Sequence, residues 1–280
     1  MHLVLRGSAA YPERLEDLPD PPAHLYLIGD PCLLDRPLVS IVGTRDATPY
    51  GLRMTRSIAG AFARAGITVV SGMARGIDAA AHRAALDEGG TTIAVLGTGI
   101  DVPYPVAHRE LHRLIGLKGL LVSESGPGAP AHKGAFPKRN RIIAALSPVT
   151  IVVEAGHVSG ALNTARHVMQ LGRTLAAVPG PVDSRASEGT NHLLRDGATV
   201  IAAVEDALAL AGITEPPQAR PVDLAGNDGA VWSSLAAGPM TIDALAVSAS
   251  ISTRECIAAV IALELKGMAE SLVTGEVRRR

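Results

Sequence analysis

The chain has 280 residues, of which 47% are hydrophobic and only 2% aromatic, so its core must be built mainly from Ala, Val, Leu and Ile. The 26 Lys and Arg residues nearly balance 27 Asp and Glu residues, which leaves a formal net charge of −1. This balance excludes a protein that is basic overall, so any nucleic-acid site must be a local patch of charge or of backbone amides.

The two cysteines, Cys32 and Cys256, are far apart and form no CxxC pair, which argues against a zinc site or a disulfide framework. The first residues lack the apolar core of a signal peptide, and no apolar run is long enough to span a bilayer. We therefore expect a cytoplasmic protein with no membrane association.

The predicted elements follow an extended, Pro-rich N-terminal segment, residues 1–37. Beyond it, short continuous apolar runs recur, as expected for strands that are buried on both faces. The runs cover residues 38–42, 67–71, 92–96, 120–123, 150–154, 174–179 and 198–202. Helical segments such as 49–65, 78–88 and 160–171 lie between most of them. This alternation predicts the α/β class, with a Rossmann-like parallel sheet domain over residues 38–212.

The C-terminal part of the sequence has a different pattern. A Pro-rich stretch, residues 213–225, is predicted to be a linker. Residues 226–280 then predict a separate domain of three short helices and a hairpin, in the order 228–236, 241–248, 252–266, a stop at Gly267, and a turn at Thr274 and Gly275. Three helices and a hairpin of this size are typical of a small winged-helix domain.

Gly-rich and polar loops follow most of the predicted strands. The first two loops supply Gly43, Thr44, Arg45, Ser71, Gly72 and Arg75. Because the carboxyl ends of parallel strands meet at one edge of the sheet, these loops should form a common rim. Glycine lets backbone N–H groups approach a phosphate closely, and helix N-termini favour negative charge. The rim therefore predicts an anion site at the strand ends.

The usual enzyme motifs do not occur at these loops. The first loop lacks the Rossmann G-x-G-x-x-G fingerprint, and no Walker A, G-x-S-x-G or HExxH motif is present. His108 and His112 have a spacing that could hold a metal, but no third ligand is evident and a solvated helix face is favoured. Glu154 could be a general base or could orient its neighbouring loop. We expect no catalytic residue, no cofactor and no metal.

The segment at residues 132–143, HKGAFPKRNRII, combines a basic cluster with an aromatic residue. It holds Lys133, Lys138, Arg139 and Arg141 without an acid, and Phe136 is one of two Phe in the chain. Such a cluster suits single-stranded nucleic acid, because cations follow the phosphates while a ring stacks on a base. The alternative is a solvated basic helix face with Phe136 in the core, and the segment alone does not decide between them.

Several longer motifs occur in a fixed order over residues 11–212. They include SIVGTR, SGMARGIDAAAH, TIAVLGTGIDVPYP, FPKRNRIIAALS, VVEAGHVSGALNTA and AVPGPVDSRASEGTNHLLRDGA. Together they resemble the DNA-processing protein A family. The resemblance implies a homodimer that binds single-stranded DNA and loads the RecA recombinase onto it in natural transformation and recombination. The DNA-contacting Arg, Lys and Phe of that family match Arg45, Lys133 and Phe136.

The remaining predicted DNA-site residues lie in the matching motifs and follow from the anion rim. They are Gly43, Thr44, Ser71, Gly72, Arg75, Arg139, Asn140 and Arg141. The two arginines of the RNR sequence lie two apart on a helix and cannot fully share one face, so at least one of them can be structural.

A second hypothesis is a Rossmann-like phosphoribohydrolase that uses Glu154 on nucleoside monophosphates, although EAGHVSGAL fits its loop poorly. The third C-terminal helix is mostly apolar, which favours an auxiliary or protein-binding role over duplex readout.

Overall fold

The computed structural model describes residues 1–214, 224–266, 268–272 and 274–279. The chain divides into two compact units, one N-terminal and one C-terminal, and each is described by itself. The predicted linker at 213–225 lies mostly outside the described residues, as do the predicted helix stop Gly267 and the last residue.

Within residues 1–214, nine strands form one sheet with the order β1-β2-β6-β5-β4-β3-β7-β8-β9. The strands are β1 His2–Leu5, β2 His24–Gly29, β3 Leu38–Val42, β4 Thr68–Ser71, β5 Thr92–Leu96, β6 Leu120–Ser123, β7 Val149–Val152, β8 Thr174–Ala177 and β9 Thr199–Val200. The pairs among β3 to β9 are all parallel, so the predicted parallel sheet is present.

The segment 1–37 belongs to this sheet, which corrects the predicted domain start at residue 38. Strand β1 pairs antiparallel with β2, and β2 pairs antiparallel with β6. Leu25 and Leu27 of β2 are fully buried. The prolines that dominate this segment lie mainly in the loop between β1 and β2, where they interrupt no strand ladder.

Helices cover both faces of the sheet. In residues 1–214 they are α1 Pro49–Arg64, α2 Ile77–Asp87, α3 Arg109–Lys118, α4 Ala135–Leu146, α5 Gly160–Gln170, α6 Glu188–Arg195 and α7 Val204–Leu210. Alternate residues of the first parallel strand face different cores. Val39 and Ile41 pack in the core that contains α1 and α2, whereas Leu38 and Val42 pack in the core that contains α4 and α5. This burial on both faces explains the continuous apolar runs.

The sheet reverses its strand order between β3 and β7. The chain steps outward from β3 through β4 and β5 to β6, and then crosses back to β7 on the other side of β3. In open parallel sheets, ligands bind outside the carboxyl ends of the strands at such a reversal. The loops that begin at Gly43 and Val153 therefore flank the expected position of a site.

The C-terminal unit contains the predicted helices and hairpin. Its elements are α8 Gly226–Ser234, β10 Met240–Thr241, α9 Ile242–Ala249, α10 Thr253–Leu265, β11 Ala269–Ser271 and β12 Glu276–Arg279. The three strands pair antiparallel in the order β10-β12-β11. Ser252 caps α10, accepting a bond from the Glu255 amide at 3.3 Å while the Glu255 carboxylate accepts one from the Ser252 amide at 2.9 Å.

Among the described residues, no single helix has both the length and the apolarity needed to cross a membrane. Taken together, α9 and α10 reach that length and apolarity, but the pair is bent by 104° at its break.

Candidate functional site

A cleft of about 740 Å³ opens at the carboxyl edge of the sheet, where the strand order reverses. The loop after β3, the segment that leads into α4 and the first turn of α5 line it. Most of the predicted site residues are in this lining, namely Gly43, Thr44, Arg45, Lys133, Phe136, Arg139 and Asn140. Four others, Ser71, Gly72, Arg75 and Arg141, are not among the lining residues.

Arg45 follows β3, whereas Lys133 and Phe136 lie just before and in the first turn of α4, and the three meet at this cleft. Arg45 and Lys133 are exposed, and Phe136 is half-buried. The guanidinium carbon of Arg45 lies 5.4 Å from the centre of the Phe136 ring, within cation–π range. The cleft thus presents an aromatic ring and two cations on one surface.

The Phe136 ring packs against Gly97 and lies beside a second aromatic ring, that of Tyr104. A Cβ atom added at Gly97 would lie only 2.9 Å from Cδ1 of Phe136, so the ring packs directly on the glycine backbone. The Tyr104 ring lies next to it, with the two centres 5.3 Å apart and an angle of 33° between the planes. Tyr104 was not predicted to belong to the site, and the scarcity of aromatic residues in the chain is the signal that could have found it.

Arg139 lies in the floor of the cleft and is almost fully buried. Its Nη1 atom donates to the Gly72 carbonyl at 2.5 Å and also to the Val95 carbonyl, which ties the end of β5 to the loop after β4. A Cβ at Gly72 would come within 2.7 Å of the guanidinium, so the glycine makes room for it. Burial lowers the pKa of Arg139 to about 10, which leaves the group charged at neutral pH.

Asp78, at the start of α2, supplies a negative charge in the same buried floor. Its Oδ2 atom accepts a bond from the Ala74 amide at 3.3 Å. Burial raises the pKa of Asp78, and the charge of Arg139 opposes that rise. Both groups are nearly buried, so the charge of each favours the ionised form of the other. We infer that Arg139 stabilises the floor of the cleft by joining α4 to the loop after β4 and to β5.

Arg141 is not among the residues that line the cleft. Its Nη2 atom donates to both carboxylate oxygens of Glu124, at 2.9 and 3.0 Å, and its side chain is mostly buried. Lys138 also pairs with Glu124, at 3.1 Å. These contacts fix α4 against the loop after β6, so Arg141 has a structural position.

The other predicted residues support the loops. The Ser71 hydroxyl donates to the Ile41 carbonyl at 2.6 Å and is fully buried. Asn140 lines the cleft, and its amide donates to Oδ1 of Asn163 at 3.1 Å, which links α4 to α5. Arg75 is exposed and lies 3.5 Å from an oxygen of Asp46, whose loop lines the cleft.

Two backbone amides of the predicted rim are bonded within the protein. The Thr44 amide donates to the Glu154 carbonyl at 2.7 Å, and the Gly99 amide donates to the Ala129 carbonyl at 2.8 Å. Such bonds hold neighbouring loops to one another, so these two amides do not face a ligand. The side chains of Arg45 and Lys133 are exposed at the cleft.

Glu154 is buried and its carboxylate caps α1. Oε2 accepts from the Thr48 amide at 2.8 Å, and Oε1 accepts from the Thr48 hydroxyl at 2.5 Å. Thr48 in turn accepts a bond from the Gly51 amide at 3.1 Å at the start of the helix. A carboxylate at a helix N-terminus stabilises the helix, so Glu154 joins the loop after β7 to the start of α1.

The two histidines with metal-like spacing are directed to different carbonyl groups. A ring nitrogen of His108 lies 3.0 Å from the Met73 carbonyl oxygen, and one of His112 lies 2.9 Å from that of Ile100. In the part of the chain that the structure describes, no group of three or more His, Cys, Asp or Glu side chains is placed to hold a metal ion.

In the C-terminal unit, the third helix presents an apolar face. Ile257, Ile261 and Leu265 lie four residues apart on α10 and are all exposed. Lys266, which follows them, pairs with Asp228 at 2.7 Å. This apolar face is poorly suited to phosphate contacts.

Comparisons with known proteins cover both units. The family model described as DNA recombination-mediator protein A matches residues 2–212, and the model described as DprA winged helix domain matches residues 215–273. The putative DNA processing protein DprA of Mycobacterium tuberculosis is 41% identical over 260 residues, which cover 89% of this chain and 67% of the relative. The DNA processing protein DprA of Streptococcus pneumoniae is 42% identical over 199 residues, 71% of this chain and 70% of the relative.

Two solved structures are similar in fold and sequence. DNA processing protein A from Streptococcus pneumoniae superposes with a TM-score of 0.72 at 40% identity, covering 74% of this chain and 73% of that one. The protein from Helicobacter pylori, whose structure was solved for its single-stranded DNA binding mode, gives a TM-score of 0.66 at 36% identity. That match covers 71% of this chain and 91% of the other.

Proposed function

Because the chain belongs to the DNA recombination-mediator protein A family, we propose that its cleft binds single-stranded DNA. The observation that carries the proposal is the meeting of Arg45, Lys133 and Phe136 in one open cleft. The ring offers a stacking face for a base, and the two cations lie where they can follow the adjoining phosphates. Single-stranded DNA binding by the Helicobacter pylori protein supports the same function.

The chemistry of the site favours an unpaired strand over a duplex. In a duplex, both faces of each base are covered by neighbouring bases, so Phe136 has no face to stack on. The local charge of the cleft also suffices in a chain with a net charge of −1, because phosphates are attracted by nearby cations and not by the total charge.

We also propose a wider role from the family resemblance. The protein acts as a cytoplasmic homodimer that delivers the bound strand to the RecA recombinase during DNA uptake, transformation and recombination. It acts as a binding protein, without catalysis or a cofactor. RecA filament assembly on a strand coated with single-stranded-DNA-binding protein tests this role, and we expect faster assembly when the protein is present. An unchanged rate would contradict it.

The competing enzymatic hypothesis depends on Glu154. The bonds of Glu154 to Thr48 give its carboxylate a structural task, which supports the binding role. Incubation of the purified protein with AMP separates the two functions. We expect no free adenine, and its release at a rate that Glu154→Gln abolishes would restore the phosphoribohydrolase hypothesis.

Fluorescence anisotropy with a labelled dT oligonucleotide and a matched duplex, over a series of salt concentrations, tests DNA binding directly. We expect the single strand to bind more tightly, with an affinity that falls as salt rises. Lys133→Ala should reduce the salt slope by about one, as expected for a lost phosphate contact. Lys118→Ala, an exposed lysine at the end of α3, is the matched control. Equal slopes for the two variants would show that Lys133 is not in the site.

A further inference from the structure

Tyr104 is an aromatic side chain left largely uncovered at the cleft. It is 43% exposed and is one of the lining residues. Aromatic residues make up only 2% of the chain, yet two of them lie side by side here. Tyrosine is enriched at interfaces, where a partner covers a ring that is exposed in the free protein. The core of the protein does not account for the position of Tyr104.

The Tyr104 ring extends the surface formed by Arg45 and Phe136. The ring centres of Tyr104 and Phe136 are 5.3 Å apart, and the guanidinium of Arg45 is 5.4 Å from the Phe136 ring. We call these three residues the stacking surface. Phe136 is half-buried against Gly97, whereas Tyr104 is the more open of the two rings. A flat ligand on this surface therefore meets Tyr104 as well as Phe136.

We propose that Tyr104 is a second base-stacking residue of the cleft, against which an unpaired nucleobase packs. The inference rests on the proposed single-stranded DNA function and specifies which part of the strand is bound there, namely a base face and not a phosphate. Stacking on an aromatic ring tolerates any base, because every base has a π face. The ring and not the hydroxyl supplies the contact, so phenylalanine replaces tyrosine at this position without loss.

A test separates base stacking from support of the cleft. Binding of a dT oligonucleotide is compared with binding of an oligonucleotide of equal length whose central nucleotides are abasic, for wild type, Tyr104→Ala and Tyr104→Phe. Leu117→Ala, which removes an exposed apolar side chain from α3, is the matched control. Circular dichroism and thermal melting check that each variant is folded.

For dT, Tyr104→Ala should weaken binding by roughly 5- to 150-fold, the range for loss of one stacked base. Tyr104→Phe and Leu117→Ala should stay within about twofold of wild type, because neither removes a ring from the cleft. On the abasic strand, Tyr104→Ala and wild type should bind equally. Unchanged dT binding by Tyr104→Ala would overturn the proposal, and so would an equal loss on both strands, which would mark a supporting role. Failure of the wild type to bind either strand would instead contradict the proposed function, and the inference with it.

Cross-linking in the wild-type protein provides a measurement that does not depend on a folded variant. An oligonucleotide containing 5-iododeoxyuridine is bound, irradiated and digested with trypsin. Lys133 and Lys138 flank Phe136, so trypsin separates its peptide from the one that contains Tyr104. We expect cross-links on both peptides. Cross-links confined to the Phe136 peptide would overturn the inference.

Discussion

The guanidinium carbon of Arg45 lies 5.4 Å from the centre of the Phe136 ring, although one residue follows β3 and the other lies in α4. At this distance the cation and the ring attract each other, so each helps to hold the other in the cleft. A strand that binds here contacts a preassembled pair. The energies of the two residues in binding should therefore be coupled.

A double-mutant cycle on dT binding measures this coupling. Phe136→Ala should cost about 1–3 kcal/mol, because it removes a stacking ring. Arg45→Ala should also weaken binding, and the double variant should lose less than the sum of the single losses, by about 0.5–2 kcal/mol. Arg53, which lies over Tyr50 outside the cleft lining, is the control arginine. Losses that add to within about 0.3 kcal/mol would show that the pair is independent.

Gly97→Ala should weaken DNA binding through Phe136. A methyl group at this position would be 2.9 Å from Cδ1 of the ring, so the ring must shift. We expect a loss of stability of about 1–3 kcal/mol, typical of overpacking, and a loss of dT affinity close to that of Phe136→Ala. In the Phe136→Ala background, Gly97→Ala should change affinity little.

The control for this substitution is Gly126→Ala, where the nearest atom to an added Cβ is the Tyr26 hydroxyl at 3.6 Å. Its affinity should equal that of wild type. If Gly97→Ala retains full affinity while remaining folded, the ring does not need the position observed here.

Arg139→Met should destabilise the N-terminal unit by about 1–3 kcal/mol, because it removes the donor for the buried Gly72 and Val95 carbonyls. It also removes the charge that favours the ionised form of the buried Asp78. Urea denaturation at neutral pH measures the change. Adding Asp78→Asn to Arg139→Met should recover part of the loss, since the uncompensated charge is gone. A second substitution that destabilises further would contradict this account of the floor.

The buried His82 should make stability depend on pH. Its Nε2 atom accepts from the Met73 amide at 3.3 Å, its Nδ1 atom lies 2.7 Å from the Thr92 hydroxyl oxygen, and burial lowers its pKa to about 3. Between that value and the ordinary pKa of 6.5, the unfolded chain binds a proton that the folded protein does not. This contribution to stability is therefore present near pH 7. It is lost as the pH is lowered, at up to about 1.4 kcal/mol per pH unit.

Urea denaturation at several pH values between 7 and 4 (about half a unit apart) measures this effect, with His82→Gln as the comparison. The variant should be less stable at pH 7 and should lose less stability on acidification. The slopes of the free energy of unfolding against pH should differ by the equivalent of up to one bound proton. The raised pKa of Asp78 acts in the opposite direction in both proteins and cancels in the difference. Parallel curves for the two proteins would contradict the assignment.

Much of the sheet was predictable because strands that are buried on both faces have continuous apolar sequences. The runs that became β3 and β5 are apolar at nearly every position and are buried at every one. Strands β1 and β2 are only partly buried, they flank a Pro-rich loop, and they pair antiparallel at one edge of the sheet, so they were not predicted.

The site was predictable in its exposed cations and in Phe136, but not in Tyr104 or in its buried floor. The positions of Arg45 and Phe136 followed from motifs and residue types. The burial of Arg139 did not, because its carbonyl partners at Gly72 and Val95 come from other strands. The amide of Thr44 is similar, since its acceptor on Glu154 is set by the packing of β3 against β7. Contacts between distant segments leave no pattern in a local stretch of sequence.

The reversal of strand order between β3 and β7 has a consequence for biosynthesis. The cleft joins the loop after β3 to the first turn of α5, which leaves the ribosome more than a hundred residues later. Its walls come together only after β7 has inserted beside β3, a late and non-local step. A nascent or truncated chain that ends before α5 therefore has Arg45, Tyr104, Lys133 and Phe136 but lacks one wall of the cleft. Under the proposed function, binding of a strand requires that β7 lies beside β3 and that α5 has folded.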